Sequence, residues 1–223
     1  MKIGIFTAMK KEAACFLQGD AEKTNVGQFE LYSFRLGKHQ AVLCCPPTVG
    51  EIAASAACQL LISRFNVDVI LNFGVVGALT ENASIASTLF VGSVVHYDMD
   101  VSQIDDVPVG RYTCFDDIAV SCDDNLLNLA LKVENLPVVR CASADKFVDA
   151  AEQKTALAQN FGAEICDMES AGILIACKMN NVPCLLVKCV SDSLTGGSGE
   201  YAQNAQKAAS GFFHLANRIA NAL

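Results

Sequence analysis

The chain carries strand-length runs of Val, Ile and Leu without clean alternation of apolar and polar residues, Val67 to Phe73 and Pro183 to Val190 foremost. A strand with one face in water alternates, whereas these read as buried on both faces, which requires helices above and below the sheet. Further strand-like runs are Lys2 to Thr7, Phe29 to Arg35, Gln40 to Cys45, Thr88 to His96 and Val138 to Ala142, with a shorter stretch at Ala163 to Cys166. Helical stretches are read at Glu51 to Arg64, Asp124 to Val133, Ala150 to Asn160, Met168 to Asn180 and Glu200 to Ala222. In the last, Tyr201, Ala205, Ala208, Phe212, Leu215 and Ile219 recur every three or four residues. This mixture predicts an α/β fold, a three-layer α/β/α sandwich with a central mixed sheet. Phe29 to Cys45 reads as a hairpin turning at Gly37 and Lys38, so the sheet is not purely parallel.

With 223 residues, 52% of them hydrophobic, and no Pro/Gly/Ser-rich stretch or charge run to mark a boundary, one domain over residues 1–223 is expected. The net charge of -8 and pI near 4.8 argue against a nucleic-acid or anionic-membrane partner, either of which wants a basic face, and favour a small ligand. The 11 cysteines are odd in number and form no CxxC pair to hold zinc. Cys44, Cys45, Cys58, Cys141, Cys166, Cys177, Cys184 and Cys189 sit inside apolar patterns and read as small buried hydrophobes in a reducing compartment. Met1 to Met9 is apolar but is cut off by Lys10, Lys11 and Glu12, too short for a signal peptide or membrane span, so a cytoplasmic location is expected. The 3 histidines, His39, His96 and His214, are unclustered, and none is assigned to catalysis or metal.

Two acidic clusters carry the functional signal. Asp167-Met168-Glu169-Ser170-Ala171-Gly172 lies where a strand gives way to a helix, and Ser191-Asp192-Ser193 lies where a buried strand stops. Ligands of open α/β sheets bind at the carboxyl ends of strands, which would bring Glu169 and Asp192 to one crevice suited to acid/base chemistry. Taken singly, each has an ordinary role: Asp167 and Glu169 as helix caps, Asp192 and Ser191 as turn residues, Glu12 on a solvated helix start, Phe147 in the core.

Their order along the chain resembles a known family. The segments MKIGIFTAMKKE, TVGEIAASAACQLL, VDVILNFGVVGAL, VGSVVHYDMDVS, SADKFVDA, CDMESAGILIAC and VPCLLVKCVSDS are similar, in order and spacing, to those of the purine nucleoside phosphorylase and nucleosidase superfamily, nearest the 5′-methylthioadenosine/S-adenosylhomocysteine nucleosidases. The resemblance implies a nucleoside substrate, cleavage of its N-ribosidic bond, no metal or cofactor, and a homodimer in which Asp98 to Gly110, with Val107 and Pro108, reaches a neighbour's 5′ pocket. It further implies that Asp192 protonates the purine N7 with Ser191 orienting it, that Glu169 accepts the ribose hydroxyls, and that Met168 packs on the sugar. By resemblance, too, Phe147 would stack on the base, the Val148 backbone would bond the base edge, and Val49 would line the sugar side. By the same resemblance Glu12, preceded by Ala8 and Met9, would activate the attacking water, and Met9 would be one of the substrate-binding residues.

Three positions depart from the pattern. Lys188 stands where the branch has arginine, valines 75 and 76 replace small residues of the glycine loop Gly74 to Ala78, and Leu194 to Gly199 lacks the aromatic that lids the 5′ substituent, Tyr201 being close but out of step. No arginine lies in that loop to cradle phosphate, although Lys10 and Lys11 could still supply positive charge and Thr48 a hydroxyl. Two alternatives remain open at this point: a phosphate-dependent nucleoside phosphorylase on the same fold, and a non-catalytic nucleoside-binding module.

Overall fold

The computed structural model describes residues 1–17 and 19–223. Strand β1 (Lys2–Phe6) is followed by the short helix α1 (Lys10–Ala13) and a tight 3-10 turn, then by β2 (Glu22–Val26), β3 (Phe29–Leu36), β4 (His39–Cys45) and helix α2 (Glu51–Phe65). After β5 (Val69–Ala78), β6 (Thr88–His96) and β7 (Ala119–Ser121) come α3 (Asp124–Val133), β8 (Val138–Ser143) and α4 (Ala151–Phe161). The chain ends through β9 (Ile165–Asp167), α5 (Ser170–Met179), β10 (Cys184–Asp192), α6 (Ser198–Ala209) and α7 (Phe212–Ala222).

Among the described residues the strands form one ten-stranded mixed sheet. β1 runs parallel to β4 on one side and to β5 on the other, and β3 and β4 form the expected antiparallel hairpin, closing at Leu36 opposite His39. β10 pairs with β5 in parallel and with β6 antiparallel, so β5, β10, β6, β8 and β9 curl into a closed ring from which β1, β4, β3 and β2 extend. Alternate strand residues feed two cores. Phe6, Val42, Cys44 and Ile70 pack with α2 and α5, while Ile5, Leu43, Leu71 and Phe73 pack with the residues of α3, α6 and α7. Every residue of β10 is buried, as its non-alternating sequence requires. Each fully buried Leu, Ile, Val or Phe contributes roughly 1.5–3 kcal/mol of transfer free energy, so these doubly covered strands anchor the fold.

Besides the short strand β7, which the sequence does not reveal, the structure corrects the sequence reading in three places. The helix expected over Glu200 to Ala222 is two helices, broken at Ser210 and Gly211: α6 packs on β10 and β5, α7 on α3 and β3, and no straight helix reaches both. The glycine loop is no loop, because Gly74 to Ala78 continues β5 and pairs with β10 and β9. The edge strand β2, of sequence EKTNV, is exposed and polar, so it lacks the buried apolar pattern by which the others are legible. The cysteines read as buried hydrophobes are all buried and unpaired. No helix among the described residues is long and apolar enough to cross a membrane.

Candidate functional site

The ends of β5, β9 and β10 and the segments after β1, β4 and β8 converge on a cavity of about 350 Å³. Met9, Glu12, Val49, Phe147, Val148, Met168, Glu169, Ser191 and Asp192 all line it, so every residue named from the sequence as catalytic or substrate-binding meets there. Val75 and Val76 face the same space, as do Lys146, Cys166 and Tyr201. An aromatic of α6, Tyr201, thus stands in the cavity wall although Leu194 to Gly199 holds none. The Tyr201 ring stands edge-on to Phe147, with centroids 5.6 Å apart, and its hydroxyl meets Met9 Sδ at 3.1 Å and accepts from Lys11 Nζ at 2.8 Å. Lys10 instead pairs with Glu30 at 2.9 Å on the surface, and neither it nor Thr48 lines the cavity.

Glu12 is not on a solvated face, being 1% exposed. Its two carboxylate oxygens accept backbone N–H groups, Oε1 from Val75 and Oε2 from Met9, each at 3.0 Å. Burial raises its pKa, opposed by the Val75 N–H and by the charge of Lys188, which moves this carboxyl toward the range useful to a general base.

The two acids of the 167–169 cluster divide their work. Asp167 takes the capping role, accepting from Ser170 N at 3.2 Å and Ser170 Oγ at 2.5 Å at the start of α5. Glu169 does not cap; it accepts from Gly50 N at 3.0 Å. Gly50 has φ +110, and a side chain there would collide with Asp145, so glycine is what lets this N–H reach Glu169. Burial and the nearby Asp167 charge push Glu169 up to about 7, with Lys188 and the Gly50 N–H pulling the other way.

Lys188 lies outside the cavity lining and 1% exposed, its Nζ 2.7 Å from Asp167 Oδ2. Burial opposes both charges, yet each stabilises the other: Lys188 is raised, and Asp167 is lowered with help from Ser143 and Ser170. Ser143 Oγ bonds both Asp167 Oδ1, at 2.6 Å, and Glu51 Oε1. A hydroxyl has one proton to give. If it goes to Asp167, which the ammonium keeps ionised, Glu51 must carry a proton to complete its own bond to Ser143. Burial and the Asp167 charge accordingly raise Glu51 to about 8.

Because Glu51 binds its proton more tightly folded than unfolded, its stabilising contribution is complete below about 4.5 and is lost as pH rises through about 8. Over that window it tilts stability downward as pH rises, by on the order of 1 kcal/mol per pH unit. Glu51→Gln, whose amide copies the protonated acid, should remove this slope in urea unfolding measured at pH 5, 6, 7 and 8. An unchanged slope would show that Glu51 ionises freely.

Asp192 is 1% exposed at the end of β10. A register shift between Val190 and Asp192 against β5 marks a bulge there, the device that re-aims a side chain at a strand end. Gly77, opposite, makes room, since a Cβ would stand 2.9 Å from Asp192 Oδ2. Ser191 Oγ lies 2.9 Å from Asp192 Oδ1 and 3.1 Å from the Val76 carbonyl. It can donate to an ionised Asp192, or donate to Val76 and accept from a protonated one, so either form is held without an unmet bond. Oδ2 receives Lys154 Nζ at 2.6 Å, from α4. Lys154 was not among the residues singled out from the sequence, yet its position was informative: with the half-buried Leu157, Ala158 and Phe161 it falls on the core-facing stripe of its helix. Among the described residues no cluster of His, Cys, Asp and Glu is arranged to hold a metal ion.

Known proteins resemble this chain along nearly its whole length. The model of the Phosphorylase superfamily matches residues 2–221. The chain is 32% identical to a 5′-methylthioadenosine/S-adenosylhomocysteine nucleosidase of Maridesulfovibrio salexigens, over 94% of both chains. It is 26% identical to an aminodeoxyfutalosine nucleosidase of Campylobacter jejuni, over 86% of each. The crystal structure of a 5′-methylthioadenosine/S-adenosylhomocysteine nucleosidase from Helicobacter pylori with butyl-thio-DADMe-Immucillin-A superposes with a TM-score of 0.93 at 25% identity, covering 100% of this chain and 99% of that one.

Proposed function

Because this chain belongs to the Phosphorylase superfamily, and relatives of it are nucleosidases, we propose that it hydrolyses the N-ribosidic bond of adenine nucleosides, 5′-methylthioadenosine or S-adenosylhomocysteine first, and releases the free base. One observation carries the choice of water over phosphate: the Glu12 carboxylate itself fills the anion-binding N–H of Val75 in the cavity wall. A phosphate there would meet a negative charge instead of a donor, and the cavity lining contains no arginine to offset it.

In this reading the base lies against Phe147 and the Val148 backbone, with Met168 and Val49 on the ribose. Glu169, ionised above about 7, accepts the ribose hydroxyls and stabilises the positive charge that grows on the sugar as the bond breaks. Asp192 gives a proton to the purine N7, so the electron pair of the C–N bond leaves on a neutral base. Glu12 takes a proton from water as its oxygen bonds to the anomeric carbon. Tyr201 and Met9 close over the 5′ substituent. The Campylobacter jejuni relative supports a second reading, with aminodeoxyfutalosine as the substrate.

The test is chromatography of products from 5′-methylthioadenosine, S-adenosylhomocysteine, aminodeoxyfutalosine, adenosine and inosine, with and without phosphate. Free base at the same rate in both buffers is the expected result, and the panel ranks the substrates. Release only with phosphate would make the protein a phosphorylase; saturable binding without product would make it a binding module.

A further inference from the structure

Behind Asp192 stands a charge that the proposed chemistry leaves unused. Lys154 is the one buried residue of α4 and is 0% exposed. Its Nζ reaches Asp192 Oδ2 at 2.6 Å, the Ser193 carbonyl at 2.7 Å and the Gly196 carbonyl at 3.1 Å, which uses all three N–H groups of an ammonium. An apolar side chain would fill this core-facing position at no desolvation cost, whereas a buried ammonium costs several kcal/mol unless it is paired and fully bonded. The helix therefore does not need the lysine; the end of β10 does. Fixing Oδ2 leaves Oδ1, beside Ser191, as the oxygen free to exchange a proton with a ligand.

We infer that Lys154 is a positioning residue for leaving-base protonation, holding Asp192 by Oδ2 and the loop after it by the Ser193 and Gly196 carbonyls, and stabilising the carboxylate left when the proton departs. The inference rests on the reading of Asp192 as the acid. As the C–N bond breaks, its electrons go to the base, the proton of Asp192 Oδ1 goes to N7, and the negative charge remaining on Asp192 lies against a preformed, buried ammonium. That interaction strengthens along the reaction, so its loss falls on kcat and not on KM.

The experiment compares wild type, Lys154→Met, Lys154→Arg and Asp192→Asn on an adenine nucleoside and on a 4-nitrophenyl riboside with the same 5′ substituent, whose leaving group departs without a proton. Lys154→Met should lower kcat on the nucleoside by roughly 10- to 100-fold, with KM within about twofold, and leave 4-nitrophenyl riboside hydrolysis unchanged. Lys154→Arg should restore most of the loss. Lys154→Gln replaces the methionine variant if that one fails to fold, because its amide still donates to the loop carbonyls but carries no charge. Equal losses on both substrates would reduce Lys154 to a packing role, and unchanged nucleoside turnover beside a crippled Asp192→Asn would overturn the inference alone. Full nucleoside turnover by Asp192→Asn would remove the acid role and the inference with it.

Discussion

Asp192→Asn is expected to lower kcat on adenine nucleosides by roughly 100- to 10,000-fold while KM changes little. The amide keeps the shape of the carboxyl: its oxygen can accept from Lys154 Nζ where Oδ2 now does, and its nitrogen can donate to Ser191 Oγ. What it cannot do is release a proton to the base. Substrate binding survives because the proton moves only in the transition state, so the loss appears in turnover. The substitution also leaves Lys154 buried without its counter-charge, which costs about 3–5 kcal/mol. A lower melting temperature is therefore part of the expected result, and activity is read well below it with circular dichroism confirming the fold. Near-normal turnover would remove Asp192 from the acid role.

The fold was legible where burial dictates sequence. Strands β5 and β10 announce themselves because a strand covered on both faces has no reason to alternate, and the β3–β4 hairpin because its turn carries Gly37. β2 was not legible, since a polar edge strand is held by pairing to β3 and not by its own side chains. The break between α6 and α7 was hidden by an apolar stripe that keeps its period across Gly211 while the partners change. Single residues at the site were weak signals, and their order along the chain made them strong. What order could not give was the pairing of buried charges. Lys188 in an apolar strand and Lys154 on an apolar stripe each demand a partner, but which carboxylate answers depends on distances set by the whole sheet: Asp167 for one, Asp192 for the other. Lys188, a departure in sequence, thus leaves the cavity lining unaltered while still acting on Glu12 and Glu169 through its charge.

Glu12→Gln should cut hydrolysis by roughly 100- to 10,000-fold and still bind adenine or a non-hydrolysable nucleoside analogue. An amide has one acceptor oxygen where the carboxylate has two, so it can satisfy Val75 N–H or Met9 N–H but not both. Leaving one buried donor unmet costs about 1–3 kcal/mol, partly offset because a neutral group no longer carries the desolvation penalty that raises the Glu12 pKa. The variant should accordingly fold and bind, and equilibrium binding of the analogue separates this outcome from a collapsed site. Adding phosphate should not restore turnover, because the freed backbone N–H and the glutamine amide fall short of the charged donor set that phosphate needs, the cavity lining having no arginine. If Glu12→Gln stays active without phosphate, another group prepares the water. If phosphate alone revives it, the chemistry that separates a hydrolase from a phosphorylase on this sheet resides in the charge of this one side chain.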